Sequence, residues 1–494
     1  MRESFLERGR PASLVPKQSS MHYPQWANPA AGRAYDEGMD TFFAHELRFA
    51  DLGDRRLNRR LQRLVTALAD KPAASVPDAL GDWGQTKAAY RFWDNDRVDP
   101  AAVRHAHRQA TLARLPDAGV VLAIQDTTAL SFTGHQAVRG LGYLTGRRQR
   151  GLLVHSLLAA TADGVPLGVL HQQVWARRAR RFGRRRTRNR RRTAHKESQR
   201  WLTAVGEAAA VAAAGRPVVV VADREADLFD LFAAPRPAGV DLLVRAKPRR
   251  RLHGDTRLLG QAAAAAPVVA TLTVTLPRAD DRPATTAALA LRAAAVTLER
   301  PSVHPRRRWL RPAPVSVILA EQTDAASGEA PLRWLLVTTR PAATPPAVVE
   351  AVRWYSRRWL IERLHYVLKS GCRIEQLQLE TAARLQRALA TYLLVAWRLL
   401  WLTYQARRAP EEPAAVALDA TERAVLLGHF GRAAAGPLRL RAAVGLVARL
   451  GAFSTAAATG SRGSSACGAA GSSCRPWSRA IAWAFKDRRP NCCG

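Results

Sequence analysis

Two short apolar runs constrain the fold of this chain more than any other feature. Gly119–Ile124 ends at Gln125-Asp126-Thr127-Thr128, and Pro217–Ala222 ends at Asp223. Continuous apolar runs of this length, rich in β-branched residues, suit buried strands. A carboxylate at the end of a buried strand is held rigidly at a sheet edge, where a ligand can approach. Between the two runs, Leu152–Thr161 and Val165–Val174 flank the turn Ala162-Asp163-Gly164 and read as a hairpin, and a helix follows at Glu197–Ala214. Strands mixed with a helix in this order predict an α/β fold, with the two aspartates 97 residues apart. Taken singly, each aspartate reads rather as a cap of the element that follows it.

The flanks are helical. Leu52, Leu57, Leu61, Leu64 and Leu68 recur at roughly helical spacing, while Arg55, Arg56, Arg59, Arg60 and Arg63 decorate the other faces. This predicts a small basic helical unit over Thr41–Asp99, its helices separated at Pro72 and Pro77. Residues 240–345 read as β-rich, with strand candidates Leu242–Val244, Val269–Leu276, Ala288–Leu298, Val315–Leu319 and Trp334–Thr338. From Pro345 the pattern is helical again, and residues 381–450 are rich in Leu and Ala.

Charge narrows the function. The 494 residues carry 76 Lys and Arg against 40 Asp and Glu, a net +36. Only seven of the basic residues are Lys, so a bias toward Arg codons explains the choice between the two. It does not explain the surplus, which implies a polyanionic partner. Nucleic acid fits first and an anionic membrane surface second. Eleven Arg fall within Arg177–Arg192, a block no core element tolerates, so it reads as a mobile loop or a phosphate-contacting arm. The longest apolar run, Leu389–Leu402, is broken by Arg398 and too short for a membrane span. With no continuous apolar signal segment near the start, cytoplasmic residence is expected. Four of the five Cys (Cys467, Cys474, Cys492, Cys493) lie in the last 28 residues without a CxxC pair, which argues against a disulfide framework or zinc site.

The sharpest segment is Tyr355-Ser-Arg-Arg358-Trp-Leu-Ile-Glu362-Arg-Leu-His-Tyr-Val-Leu-Lys369. On one α-helix, steps of 3, 4 and 7 place Tyr355, Arg358, Glu362 and Lys369 on a single face. A carboxylate flanked by a phenol, a guanidinium and an ammonium suits a metal site with phosphates held against it. The plainer alternative is a solvated charged face with incidental ion pairs.

Together, Ile124-Gln-Asp126-Thr-Thr, Asp223-Arg-Glu-Ala-Asp227 and the Tyr355/Arg358/Glu362/Lys369 pattern resemble the DDE cut-and-paste transposases, nearest the insertion-sequence-four family that includes the transposon-five transposase. The resemblance runs from about Leu52 to about Phe453. It implies a ribonuclease-H-like core interrupted by a β-rich insertion, with helical domains on both sides. On that reading residues 39–110 bind DNA ends, 115–380 form the catalytic domain with its insertion at about 240–345, and 381–453 support dimerisation. Asp126, Asp223 and Glu362 would be the catalytic triad and bind two Mg²⁺ (or Mn²⁺). Tyr355, Arg358 and Lys369 would contact phosphates near a flipped base. Trp334, otherwise an ordinary strand residue, would stack on that base, and Arg245 and Lys247 would add backbone contacts. The expected partners are double-stranded DNA, both element ends and target, and a second copy of the chain in a paired complex, with no membrane, in a bacterial DNA-associated setting. Nicking, hairpin formation, hairpin opening and strand transfer would follow in turn.

Residues 1–38 lack periodicity and read as a disordered extension, or as an over-long start ahead of Met39. After Phe453 the text turns to Ala, Gly, Ser and Cys, and residues 454–494 read as an aberrant tail of frameshift origin. A decayed, DNA-binding remnant and a ribonuclease-H-like nuclease that cleaves without joining are the competing readings.

Overall fold

The computed structural model describes residues 42–135, 137–146, 148–177, 193–276, 285–324, 331–418, 420–430 and 437–447. The expectations placed on residues 1–38, Arg178–Arg192 and 454–494 lie outside these residues.

Five helices open the described chain: α1 Phe42–Glu46, α2 Arg55–Asp70, α3 Val76–Leu80, α4 Trp83–Asp94 and α5 Pro100–Ala113. Asp54 caps α2 by accepting from the Arg56 amide, which satisfies one of its free N-terminal donors. Leu61, Leu64, Val65 and Leu68 form the buried stripe of α2, and Arg55, Arg56, Arg59 and Arg63 face solvent. Leu52 is buried too, but from the capping loop, where its amide donates to Asn58. Pro77 does not separate helices. It lies in the first turn of α3, where a missing N–H costs nothing.

Twelve strands make one mixed sheet: β1 Val121–Ser131, β2 Gly142–Tyr143, β3 Arg150–Thr161, β4 Pro166–Trp175, β5 Val218–Ala222, β6 Val240–Arg245, β7 Arg251–Leu252, β8 Asp255–Leu258, β9 Val268–Leu276, β10 Thr285–Leu298, β11 Ala313–Gln322 and β12 Arg333–Thr338. Their order is β2-β3-β1-β5-β6-β12-β11-β10-β7-β8, with β4 beside β3 and β9 beside β10. The β3–β4 hairpin turns at Gly164, whose φ of +101° is open to glycine at no steric cost. β1, β5 and β6 are mutually parallel, while β1, β3 and β4 are antiparallel. Thus Val240–Arg245 extends the parallel part of the sheet, and the all-antiparallel strands begin at β7.

Helices cover both faces. α6 Gln199–Ala213, α7 Phe229–Ala233 and α8 Leu259–Ala265 pack on one face with Val121, Ala123, Val218 and Val220. The N-terminal helices, α9 Pro345–Ser356, α10 Trp359–Tyr366 and α11 Ala382–Arg408 pack on the other with Leu122, Ile124, Val219 and Val221. A strand alternates sides at every residue, so each buried run feeds both cores. A short last helix, α12 Ala420–Phe430, follows α11.

α11 is enclosed within its own chain, against α2, α4, α5 and β4. Its Arg398, the charge that breaks the apolar run, is buried. It donates to the Ala417 carbonyl and lies 3.6 Å from the Phe42 ring centroid. No helix of the described residues is long and apolar enough to cross a membrane.

Candidate active site

The register of β1 and β5 brings the two aspartates together. Gln125 lies opposite Ala222, so the next residues on each strand, Asp126 and Asp223, emerge side by side where the strands part. Both continue the parity of the face that carries Leu122, Ile124, Val219 and Val221, so both carboxylates leave the sheet on the α10 side. Asp223 also caps the turn Arg224–Ala226, accepting from the Glu225 amide at 2.9 Å. The cap role and a place in the acidic cluster coexist in one residue.

Glu362 arrives from α10, but not on the single regular helix that the spacing predicts. α9 ends at Ser356, and the backbone tightens to i→i+3 hydrogen bonds at Arg357, Arg358, Leu360 and Ile361. After α10 it loosens into a π-helical turn over Val367–Gly371, closed by Cys372 N–H to the Val367 carbonyl. The distortions bracket Glu362 and re-aim its neighbours. Tyr355 sits on the last turn of α9, Arg358 at the start of α10, and Lys369 in the π turn. The one-face expectation is therefore corrected. Tyr355, Arg358 and Glu362 converge, whereas Lys369 lies near Glu375, whose carboxylate accepts from the Ser131 amide at the far end of β1.

Electrostatics ties the converging groups together. Burial, and then the Asp223 carboxylate beside it, push Asp126 up to about 7, with Glu362 adding to the effect and Arg358 opposing it. Arg358 Nη2 donates to Glu362 Oε1 at 2.5 Å. Burial disfavours the Arg358 charge, but Tyr355, Glu362 and Asp126 outweigh it and hold the guanidinium above its ordinary value. The Tyr355 ring meets Trp334, at the start of β12, edge to face with centroids 5.3 Å apart. Arg245 lies within electrostatic reach of Tyr355 and donates to the Arg333 carbonyl at 3.3 Å. Lys247, two residues on, is exposed.

Several supporting residues carry no local signal in the sequence. Ser156 stands directly across from Asp126 in the β1–β3 register. Its hydroxyl meets His365 Nε2 at 3.3 Å, so α10 is tied to β3, the strand paired with the Asp126 strand, about one turn beyond Glu362. Burial pushes His365 down to about 3 and keeps it neutral. On the other face, His155 bridges Thr127 and Gln125, and Arg200 of α6 donates to Thr127 Oγ1 at 2.8 Å and to Glu225. Only His365 was accessible to sequence reasoning, as a polar residue one turn from Glu362.

The second aspartate of Asp223-Arg-Glu-Ala-Asp227 has a different task. Asp227 is buried and accepts from the Lys247 amide at 2.8 Å and from Arg250 Nε at 2.6 Å, which anchors the segment between β6 and β7. Asp227→Asn is expected to lower stability by roughly 2–4 kcal/mol, because it leaves Arg250 without its buried counter-charge. Thermal unfolding checks this, and Asp223→Asn in the same assay should cost little.

The donor set fits a hard divalent cation. All three acids offer oxygen, and an aspartate raised by burial and then by its like-charged neighbours is what a cation would relieve. Among the described residues no three acidic or histidine side chains stand close enough to form a closed ligand set. Glu362 is engaged by Arg358 and would exchange that partner to share an ion with Asp126 and Asp223.

Comparison with protein families places the chain. Residues 39–98 match the transposase DNA-binding family, and residues 126–398, more than half of the chain, match the transposase DDE domain family. The chain belongs to the DDE transposases. DNA is thus its partner, DNA transposition its process, and divalent metal the general requirement of its catalytic domain.

Proposed function

We propose that the protein cuts transposon ends and joins them to target DNA, with the chemistry centred on Asp126, Asp223 and Glu362. The observation that carries this reading is the register match that sets Asp126 beside Asp223 on the face from which Glu362 approaches. The strand order β4-β3-β1-β5-β6, with α6 and α7 on the connections that lead to β5 and β6, supports a ribonuclease-H-like core. The antiparallel strands β7–β12 then form an insertion ahead of the Glu362 helix, as in the insertion-sequence-four group.

The three carboxylates would hold Mg²⁺ or Mn²⁺, two ions, which supply charge neutralisation at the scissile phosphate and lower the pKa of water. In each step an oxygen of water or of a 3′-hydroxyl bonds to phosphorus, the bond to the departing strand breaks, and the departing oxygen ends protonated. Arg358 and Tyr355 hold the phosphate beside the acids. Trp334 offers its face to an unstacked base, and Arg245 and Lys247 grip the backbone beyond it. Lys369 serves a phosphate further along, toward Ser131. A paired complex would be built on surfaces other than α11, most of which is already buried.

Product analysis on an end-bearing duplex with Mg²⁺ tests the reading. Nicks should be followed by hairpin ends and joined products. Trp334→Ala should leave the first nick and reduce hairpins on the order of 10–100-fold, the worth of one base stack. Nicks with neither hairpin nor joined product would instead identify a plain nuclease.

A further inference from the structure

The loop between β10 and β11 has no part in the site just described, yet it is one of the most heavily charged described segments. Arg306, Arg307, Arg308 and Arg311 are all exposed, and none forms an ion pair among the described residues. Trp309 stands among them with 66% of its surface exposed and the Arg308 guanidinium 4.7 Å from its ring centroid. The nearby carboxylates are already committed. Glu299 is paired with His253 at 2.6 Å and Asp230 with His304 at 3.1 Å.

The loop is also held in shape. His304 pins it to Asp230 on α7, Arg300 donates to the Leu310 carbonyl, and Arg307–Trp309 form a 3₁₀ turn. Four like charges on so short a pinned segment repel one another. An isolated exposed tryptophan needs no explanation, but one set within such a cluster offers a stacking or sugar-packing face beside phosphate-binding groups. The chemistry that relieves both features is a nucleic-acid backbone.

The position separates this surface from the candidate active site. Trp334 pairs with Ala320 near the end of β11, whereas the loop enters β11 at Ala313. Seven residues of strand set the two roughly 20 Å apart. We propose that Arg306, Arg307, Arg308 and Arg311, with Trp309, form a second duplex-DNA contact that holds target DNA while the element end occupies the acidic site. The assignment to target rests on the transposase reading above.

The test measures binding of the full chain without divalent metal, so it does not depend on catalysis. Two duplexes are compared across a salt series, one with an element end and one of unrelated sequence. Replacing the four arginines by alanine should weaken binding to the unrelated duplex about tenfold or more and flatten the log K against log salt slope by three to four. Binding to the end-bearing duplex, with unrelated competitor present, should stay within about twofold of the unmodified chain. Lysine at the same four positions should keep the slope. Unchanged binding to the unrelated duplex would overturn the proposal. Equal loss on both duplexes would also overturn it, because the loop would then grip the element end. A Glu362→Gln chain inactive in cleavage leaves this test unaffected, so the two readings fail separately.

Discussion

Without divalent metal, the Asp126→Asn protein is expected to be more stable than the unmodified chain at pH 8 and indistinguishable from it near pH 4. Asp126 has a folded pKa of about 7 against 3.8 for the free group, raised by burial and by Asp223. A raised carboxyl pKa means that ionising the group opposes folding. Below about pH 4 it is protonated in both states and contributes nothing. Between about 4 and about 7 the penalty grows, and above about 7 it levels at on the order of 2–4 kcal/mol. Asparagine keeps the shape and removes the charge, so the gap in melting temperature should open through that window. Added Mg²⁺ should raise the melting temperature of the unmodified chain at pH 8 and close the gap. Melting curves that coincide at pH 8 without metal would remove the case for a strained acidic cluster.

A comparable effect is expected far from the acids. Glu46, at the end of α1, is buried with two partners. His107 Nδ1 lies 2.5 Å from one carboxylate oxygen, and Arg114 bonds the other. Burial opposes the Glu46 charge, yet Arg114 and His107 more than offset it and lower its pKa. His107 Nε2 in turn accepts from the Val169 amide on β4, and the Arg114 guanidinium lies 4.3 Å from the Trp397 ring centroid on α11. One carboxylate thus joins the N-terminal helices, the sheet and α11. Glu46→Ala strands a buried guanidinium and should cost roughly 3–5 kcal/mol. Chemical denaturation measures it. A loss under about 1 kcal/mol would show that the cluster is incidental to the fold.

Much of the acidic cluster was legible in the sequence because strand physics is local. Apolar runs ending at Asp126 and Asp223 define both strands and their ends, and alternation then sets the face. Glu362 stood out by its neighbours, Tyr355 and Arg358. What failed was the assumption of one regular helix. The backbone tightens before α10 and loosens into the π turn after it, and residue spacing does not encode that. Lys369, expected on one regular helix with Glu362, sits instead in the π turn, within electrostatic reach of Glu375. Asp227 looked like a fellow member of its motif because its partners, Lys247 and Arg250, lie 20 and 23 residues on. Arg398 looked like a break in an apolar helix for the same reason, since Phe42 and the Ala417 carbonyl receive it from elsewhere in the chain.

The central claim is that Asp126, Asp223 and Glu362 act as one metal-binding site for cleavage. Single-turnover nicking of an end-bearing duplex in Mg²⁺ tests it, with Asp126→Asn, Asp223→Asn, Glu362→Gln and, as control below its melting temperature, Asp227→Asn. Each of the first three should lose on the order of a thousandfold in rate while still binding DNA, and the control should cleave nearly as the unmodified chain does. Nicking at the unmodified rate by any one of the three, or loss in the folded Asp227→Asn control equal to theirs, would contradict the account.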